Sequence, residues 1–272
     1  MSADDQVRAA ADRLLRAAQT GIACQPVREL IGAADIAAAY QVQQRLVAAR
    51  IEAGAVVVGR KIGLTSKAVQ SQLGVGRPDF GVLFDDMEFA EGQTIPMSRL
   101  LQPKAEAEVA FVLAEDLAEG PLDPPQVRAA VAYAVAALEI VDSRVADWDI
   151  QFGDTVADNA SSGLYVLGSV RRTLDEFDPV LVEMVMTING EPVSSGTGAA
   201  CLGDPLNALA WLASTAREFG QPLRAGQLVL SGALGPMATV DPGATVSADI
   251  TGLGTVTASF GTAPHHDQEE QS

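Results

Sequence analysis

Two acidic residues sit in a stretch that otherwise reads as a buried β-strand, Lys104-Ala-Glu-Ala-Glu-Val-Ala-Phe-Val-Leu-Ala114. A second apolar stretch, Tyr133-Ala-Val-Ala-Ala-Leu-Glu-Ile-Val141, carries a lone acid, Glu139. Residues two apart on a strand share a face and lie about 6.7 Å apart along the chain, so Glu106 and Glu108 can converge. Unpaired buried charge costs several kcal/mol or more, so three carboxylates set in apolar strands need a cation. An all-oxygen set suits Mg²⁺, Mn²⁺ or Ca²⁺ better than zinc or copper. The alternative is a solvated strand face, with Glu139 serving a local role. The residues that continue the Glu face are Ala110 and Val112, which weighs against it.

The other residue types narrow the chemistry. The net charge of −17 argues against a nucleic-acid partner, whose phosphates need a basic surface. The chain is long enough to bury a full core, as one large domain or two small ones. The start, Met1-Ser-Ala-Asp-Asp-Gln6, shows no export signal, and no run approaches the roughly 18 apolar residues of a membrane span. Two cysteines, Cys24 and Cys201, fit a reducing cytoplasm, and Cys201 reads as a packed thiol. The only histidines, His265 and His266, lie in a polar tail. Proton transfer must therefore fall to carboxylates, lysine, hydroxyls or metal-bound water.

Apolar spacing predicts helices over Asp4 to Ala18 and Ala34 to Ala53, docked on a main body. Strands are expected at Ala55 to Thr65, Leu101 to Ala114, Leu228 to Leu230, Thr245 to Ile250 and Thr255 to Phe260. A short helical piece should follow the first of these. A helix opening at Pro124 should run to Tyr133 and into the Glu139 strand. Glu183 to Val193 reads as a hairpin turning at Asn189-Gly190, and Asp204-Pro205 as the start of a helix to about Phe219 that Gly220 ends. Helices interspersed among strands without regular βαβ alternation favour an α+β fold around a mixed sheet. The expected organisation is a helical segment at 1–54, a catalytic β-roll at 55–262 and a disordered acidic tail at 263–272.

Lys61 is one of three lysines, with Lys67 and Lys104, and lies in an apolar strand. Burial near a metal could lower its pKa; a lysine snorkelling at the strand end is the plainer reading. Arg60 points to the other face and reads as a surface or salt-bridge residue. The Gly-rich stretches Gly74-Val-Gly76, Ser195-Gly-Thr-Gly198 and Ser231-Gly-Ala-Leu-Gly-Pro236 lack the context of a nucleotide site and read as tight turns. The polar segment from Asp147 to Ser162 is placed for substrate contacts, though its four aspartates could simply be solvated.

Six segments, in order, resemble the 2-keto-4-pentenoate (2-hydroxypentadienoate) hydratases of the fumarylacetoacetate hydrolase superfamily. They are Gly59-Arg-Lys-Ile-Gly-Leu-Thr65; Gln72-Leu-Gly74 with Pro78-Asp-Phe-Gly81; Leu101-Gln-Pro-Lys-Ala-Glu-Ala-Glu108; Ala137-Leu-Glu-Ile-Val-Asp-Ser-Arg144; Asp154-Thr-Val-Ala-Asp-Asn-Ala-Ser161; and Gly232-Ala-Leu-Gly-Pro-Met237. The resemblance runs from about residue 35 to 261. It implies a mixed β-roll with an N-terminal helical segment, holding one Mg²⁺ or Mn²⁺ through Glu106, Glu108 and Glu139. It further implies substrate or proton-transfer roles for Lys61, Asp79 and Ser161, with Leu83 lining the pocket. Asp79, in the turn Pro78 to Gly81, would partner Lys61. A soluble cytoplasmic homo-oligomer, pentameric or twice that, is implied as well.

The implied chemistry agrees with the residues. A 2-oxo acid offers its carboxylate and keto oxygen to a hard cation acting as Lewis acid. The dienol tautomerises to a 2-oxo-3-enoate, and water adds at C4 to give a 4-hydroxy-2-oxo acid. The competing readings are a 4-oxalocrotonate-type decarboxylase, an acylpyruvate-type hydrolase and a non-catalytic scaffold partner. The hydrolases usually bring a His-containing arrangement that this chain lacks, and a scaffold has no use for clustered buried charge.

Overall fold

The computed structural model describes residues 2–66, 70 and 76–262. The tail from 263, the expected turn at Gly74 and the lysine at 67 lie outside the described residues, as do most of the expected helical piece after the first strand and the motif at 72–74.

The first fifty residues form α1 (Ala3–Thr20), the single turn α2 (Arg28–Ile31) and α3 (Ile36–Glu52). Ser2 and Asp5 close α1 with a reciprocal capping box, and Gly21, at φ 68°, ends it. Val7, Ala10, Ala11 and Leu14 form its buried face, which packs against α3. Helix α3 in turn braces the sheet. Its buried Gln43 donates from Nε2 to Phe80 O (2.8 Å) and to Val156 O (3.0 Å).

The larger sheet has the order β2-β1-β10-β5-β6-β7-β3. Its strands are β1 (Val57–Gly63), β2 (Asp79–Phe84), β3 (Glu88–Phe89), β5 (Lys104–Leu113), β6 (Val131–Val141), β7 (Ser162–Leu167) and β10 (Leu228–Ala233), with β11 (Ala238–Thr239) paired to the end of β5. The pairs β1–β10 and β3–β7 are parallel and the others antiparallel, so the sheet is mixed. A second sheet has the order β4-β13-β12-β8-β9, built from β4 (Thr94–Ile95), β8 (Glu183–Ile188), β9 (Glu191–Thr197), β12 (Thr245–Ile250) and β13 (Gly254–Phe260). Strands β12 and β13 pack on β6, and Leu138, Ile140, Val246, Ala248 and Val256 join the main core between them. The fold is α+β: a mixed β-roll with an N-terminal helical segment.

Most expected elements appear. Asn189 and Gly190 both take positive φ, 54° and 84°, as a two-residue hairpin turn of this hand requires. The helix opening at Pro124 is shorter than expected. It is α4 (Pro124–Ala129), and β6 begins at Val131 because Val131 and Tyr133 suit a strand better than a helix. The last helix, α6 (Pro205–Glu218), starts on the Asp204 cap and packs against α4 and β10. Two Gly-rich stretches expected as turns are largely strand. Ser195 to Thr197 lie in β9 and Ser231 to Ala233 in β10. Glycine is needed at 196 because a Cβ there would collide with Leu234 O.

Candidate metal and proton-transfer site

Strands β5 and β6 pair so that Glu106 stands directly opposite Glu139, with Glu108 two residues further on the same face. One oxygen from each of the three carboxylates lies within 4.8 Å of the others. Glu108 and Glu139 are buried, and Glu106 is half-buried. Gly232 N–H donates to Glu108 Oε2 (2.8 Å). Glycine is required there: φ is 114°, and a Cβ would collide with Thr65. Among the described residues Glu108 Oε1 and both Glu139 oxygens lack a well-aligned hydrogen-bond partner, Glu139 Oε1 meeting only the Lys61 ammonium as an ion pair.

Lys61 reaches this cluster from β1. Its Nζ lies 3.3 Å from Glu139 Oε1 and donates to Ala160 O at 3.0 Å. With all three carboxylates ionised, one ammonium leaves two negative charges, which one divalent ion would balance. Carboxylate oxygens within 4.8 Å of one another form a hard, all-oxygen donor set, so the residues fit Mg²⁺ or Ca²⁺.

The electrostatics follow from burial. Loss of hydration raises the Glu108 carboxyl well above its usual range, and neighbouring Glu139 and Glu106 add to the effect. Burial also raises Glu106 and pushes Glu139 up to about 7, with Lys61 pulling both back down. Burial would depress Lys61, but the attraction of Glu139, Glu106, Asp79 and Glu108 outweighs it, and its pKa is raised. Between burial and the acids, a balance the sequence leaves open, the acids prevail in the metal-free chain.

Gly59, Lys61 and Gly63 share a face with Leu83, Gly81 and Asp79 across the β1–β2 pair. Asp79 is buried and sits at the start of β2, not in a turn. A Cβ at Gly63 would collide with its Oδ1, so the glycine leaves room for the carboxylate. Burial raises the Asp79 pKa, while Lys61 and a hydrogen bond from Thr155 lower it. Among the described residues the salt-bridge partner of Lys61 is Glu139, not the expected Asp79. Leu83 lies on the same face, packed with Ala110, Ala137 and Leu230 in a small second core.

Ser161 closes a rare piece of backbone. Asn159, Ala160 and Ser161 have φ of 54°, 53° and 52°, three left-handed residues in a row with no glycine among them. The surroundings hold the turn in place. The Asn159 amide donates to Val82 O (2.9 Å) and accepts from Val82 N–H (2.8 Å), taking up the outer edge of β2. Ser162 Oγ donates to Asn159 O (2.7 Å), and Asp142 N–H donates to Ser161 O (2.8 Å). Just before the turn, Asp158 is gripped by Arg144 Nε (2.6 Å) and the Arg144 backbone N–H (2.9 Å). Its carboxyl is raised to about 6 by burial, with Arg144 opposing the rise.

Two further expectations change. Arg60 is buried, not surface-exposed, and has no carboxylate partner among the described residues. Its Nη2 donates to Gln221 O and Oε1, both at 3.2 Å, and its guanidinium lies 6.0 Å from the Phe80 ring centre. The aromatic group Tyr40, Phe80 and Phe219 covers that side of the sheet. The four aspartates of the polar segment divide: Asp147 and Asp149 are exposed, whereas Asp154 and Asp158 are buried in ion pairs with Arg28 and Arg144. Cys201 is packed as expected: its Sγ donates to Ser231 O (3.0 Å), and burial pushes the thiol up to about 12. A cavity of about 420 Å³ between α3 and α6, lined by Tyr40, Arg77, Trp211 and Phe219, contains none of the site carboxylates.

The fold and site together define a mixed β-roll that carries a buried carboxylate cluster able to hold a metal ion. The family model for the fumarylacetoacetate (FAA) hydrolase C-terminal domain matches residues 56–260, and the chain belongs to that superfamily. Within it the chain belongs to the 2-keto-4-pentenoate hydratase family. It is 54% identical to a 2-keto-4-pentenoate hydratase of Paraburkholderia xenovorans over 92% of this chain and 93% of that one. It is equally 54% identical to the TodF product hydratase of Pseudomonas putida, over 94% and 96%. Among solved structures, the 4-oxalocrotonate decarboxylase of Pseudomonas putida G7, complexed with magnesium and adipate, superposes with a TM-score of 0.90. That pair is 34% identical and covers 94% of this chain and 98% of the other.

Proposed function

We propose that the chain is a metal-dependent hydro-lyase that adds water to 2-hydroxypenta-2,4-dienoate (2-keto-4-pentenoate) to give 4-hydroxy-2-oxopentanoate, a step of aromatic-compound catabolism. The observation that carries the reading is the convergence of Glu106, Glu108 and Glu139 beside Lys61, inside a chain 54% identical to hydratases of that name. Glu106, Glu108 and Glu139 would hold one Mg²⁺ or Mn²⁺. Such an ion supplies Lewis acidity to the carboxylate and 2-oxygen of the substrate.

The chain's own groups handle protons. The dienol loses its hydroxyl proton and gains one at C5; water then gives its oxygen to C4 and a proton to C3. Lys61, held charged by the surrounding acids, is the donor. Asp79, buried and raised, is the second exchangeable group, and Ser161 contacts substrate or water. Leu83 lines the apolar floor. No histidine is required.

The main alternative is decarboxylation, which uses the same cation and loses CO₂ instead of adding water. The close superposition on a 4-oxalocrotonate decarboxylase favours it; the lower identity, 34% against 54%, does not. A non-catalytic scaffold is disfavoured by the intact buried charge. Incubating the protein and Mg²⁺ with 2-hydroxypenta-2,4-dienoate, its hexadienoate analogue and a 6-carboxylated analogue, followed by product analysis, separates these outcomes. Release of CO₂ without a 4-hydroxy product would overturn the hydratase reading.

We further propose a cytoplasmic homo-oligomer, pentamer or decamer, organised as the helical segment 1–54, the catalytic roll 55–262 and the acidic tail 263–272. No helix among the described residues is long and apolar enough to cross a membrane. A stable 28.2 kDa monomer in light scattering would overturn the assembly.

A further inference from the structure

We propose that Thr155 is a positioning residue that fixes the direction of the Ser161 hydroxyl, so that Ser161 turns a lone pair, not its proton, toward the carboxylate site. The proposal rests on the roles given above to Asp79 and Ser161. Thr155 lies in the short helix α5 (Phe152–Ala157) and is buried. Its Oγ1 is 3.3 Å from Asp79 Oδ2 and 3.4 Å from Ser161 Oγ. These are long for hydroxyl bonds.

A threonine hydroxyl carries one proton, and Asp79 Oδ2 is the acceptor placed to take it. Once Thr155 donates to Asp79, its contact with Ser161 must be one that Ser161 donates. The single Ser161 proton is then committed, and only acceptor capacity remains for the site. Ser161 therefore accepts a hydrogen bond from a group that carries a proton, either the attacking water or a substrate hydroxyl. Lys61 Nζ occupies the neighbouring acceptor, Ala160 O, so adjacent positions of one turn serve the ammonium and the reacting oxygen.

Both ends of the relay are anchored. Asp154, next to Thr155, accepts from Arg28 Nη1 (2.7 Å) and Arg28 N–H (2.8 Å), and Val156 O accepts from Gln43. Ser161 is held by its left-handed turn. Valine has nearly the shape of threonine, so a purely packing role for Thr155 would be met by valine.

The test compares Thr155→Val, Thr155→Ser, Ser161→Ala and the double variant Thr155→Val/Ser161→Ala as Mg²⁺-loaded protein, with thermal unfolding and Mg²⁺ titration alongside. Thr155→Val should lower kcat about tenfold, the effect of ~1.4 kcal/mol in the barrier, with KM and Mg²⁺ affinity little changed. Thr155→Ser should restore kcat, and the double variant should be no slower than Ser161→Ala alone. Normal turnover in Thr155→Val beside an impaired Ser161→Ala overturns the relay and leaves the Ser161 role standing. Full turnover in Ser161→Ala overturns both. Multiplicative losses in the double variant, or lost Mg²⁺ affinity in Thr155→Val, also overturn the relay. If Thr155→Val does not fold, Thr155→Ala is the second hydroxyl-free variant, read by the same comparisons.

Discussion

Lys61 Nζ lies 3.3 Å from Glu139 Oε1, and the same ammonium donates to Ala160 O in the left-handed turn. One charge thus ties the acidic β5–β6 ladder to the turn that carries Ser161. Breaking a buried pair on one side leaves the other charge uncompensated. Lys61→Met should lower turnover by roughly 10²–10⁴-fold, the range for losing a general acid or base. Mg²⁺ binding should persist, because the three carboxylates remain. Steady-state kinetics with parallel isothermal titration checks this; near-normal turnover would reduce Lys61 to a packed strand residue.

Glu108→Gln removes one carboxylate from the cluster but keeps an oxygen that can accept from Gly232 N–H. The fold should be retained and metal-dependent activity abolished, as read by circular dichroism and by assay with graded Mg²⁺. The parent protein should lose activity in EDTA and regain it when Mg²⁺ is restored. Activity indifferent to EDTA would remove the site from the mechanism.

Proton and metal compete for Glu139. Its carboxyl titrates near about 7, above the ordinary 4.5, so between these values the folded metal-free protein holds a proton that the unfolded chain has released. Stability of the metal-free protein should therefore fall as pH rises through that window, since the unfolded chain binds fewer protons there. Mg²⁺ affinity should move the opposite way, rising with pH, because the ion must displace protons from Glu139, Glu108 and Glu106. Urea unfolding and Mg²⁺ titration at half-unit steps from pH 5 to 8 test both signs; a flat Mg²⁺ affinity would contradict the coupling.

The acids were legible because period two is a property of the strand itself, and Glu106 and Glu108 keep it inside an apolar run. Their meeting with Glu139 depends on strand register, which brings Glu139 opposite Glu106. Arg60 was misread for a related reason. Alternation assigns it to the other face, but nothing local shows that Tyr40, Phe80 and Phe219 cover that face. Neither reading of Asp154, substrate contact or solvation, foresaw its ion pair, because its partner, Arg28, is 126 residues away. The left-handed turn gave only a faint signal: asparagine tolerates positive φ, but Ala160 and Ser161 do not usually follow it there.

That turn yields the last prediction. Asn159 satisfies both backbone groups of Val82 with its side-chain amide and tolerates its own left-handed φ better than most residues. Asn159→Ala leaves a buried N–H and a buried C=O without partners, at about 1–3 kcal/mol each. A loss of roughly 2–6 kcal/mol in urea unfolding is expected. Asn159→Asp should be no better: it still accepts from Val82 N–H but sets a carboxylate against Val82 O. Both variants should lose turnover, because the turn places Ser161 and the carbonyl that receives Lys61. Unchanged unfolding midpoints would mean that the turn is held by Arg144 and Asp158 instead. Unchanged turnover alongside lost stability would separate the turn from the chemistry.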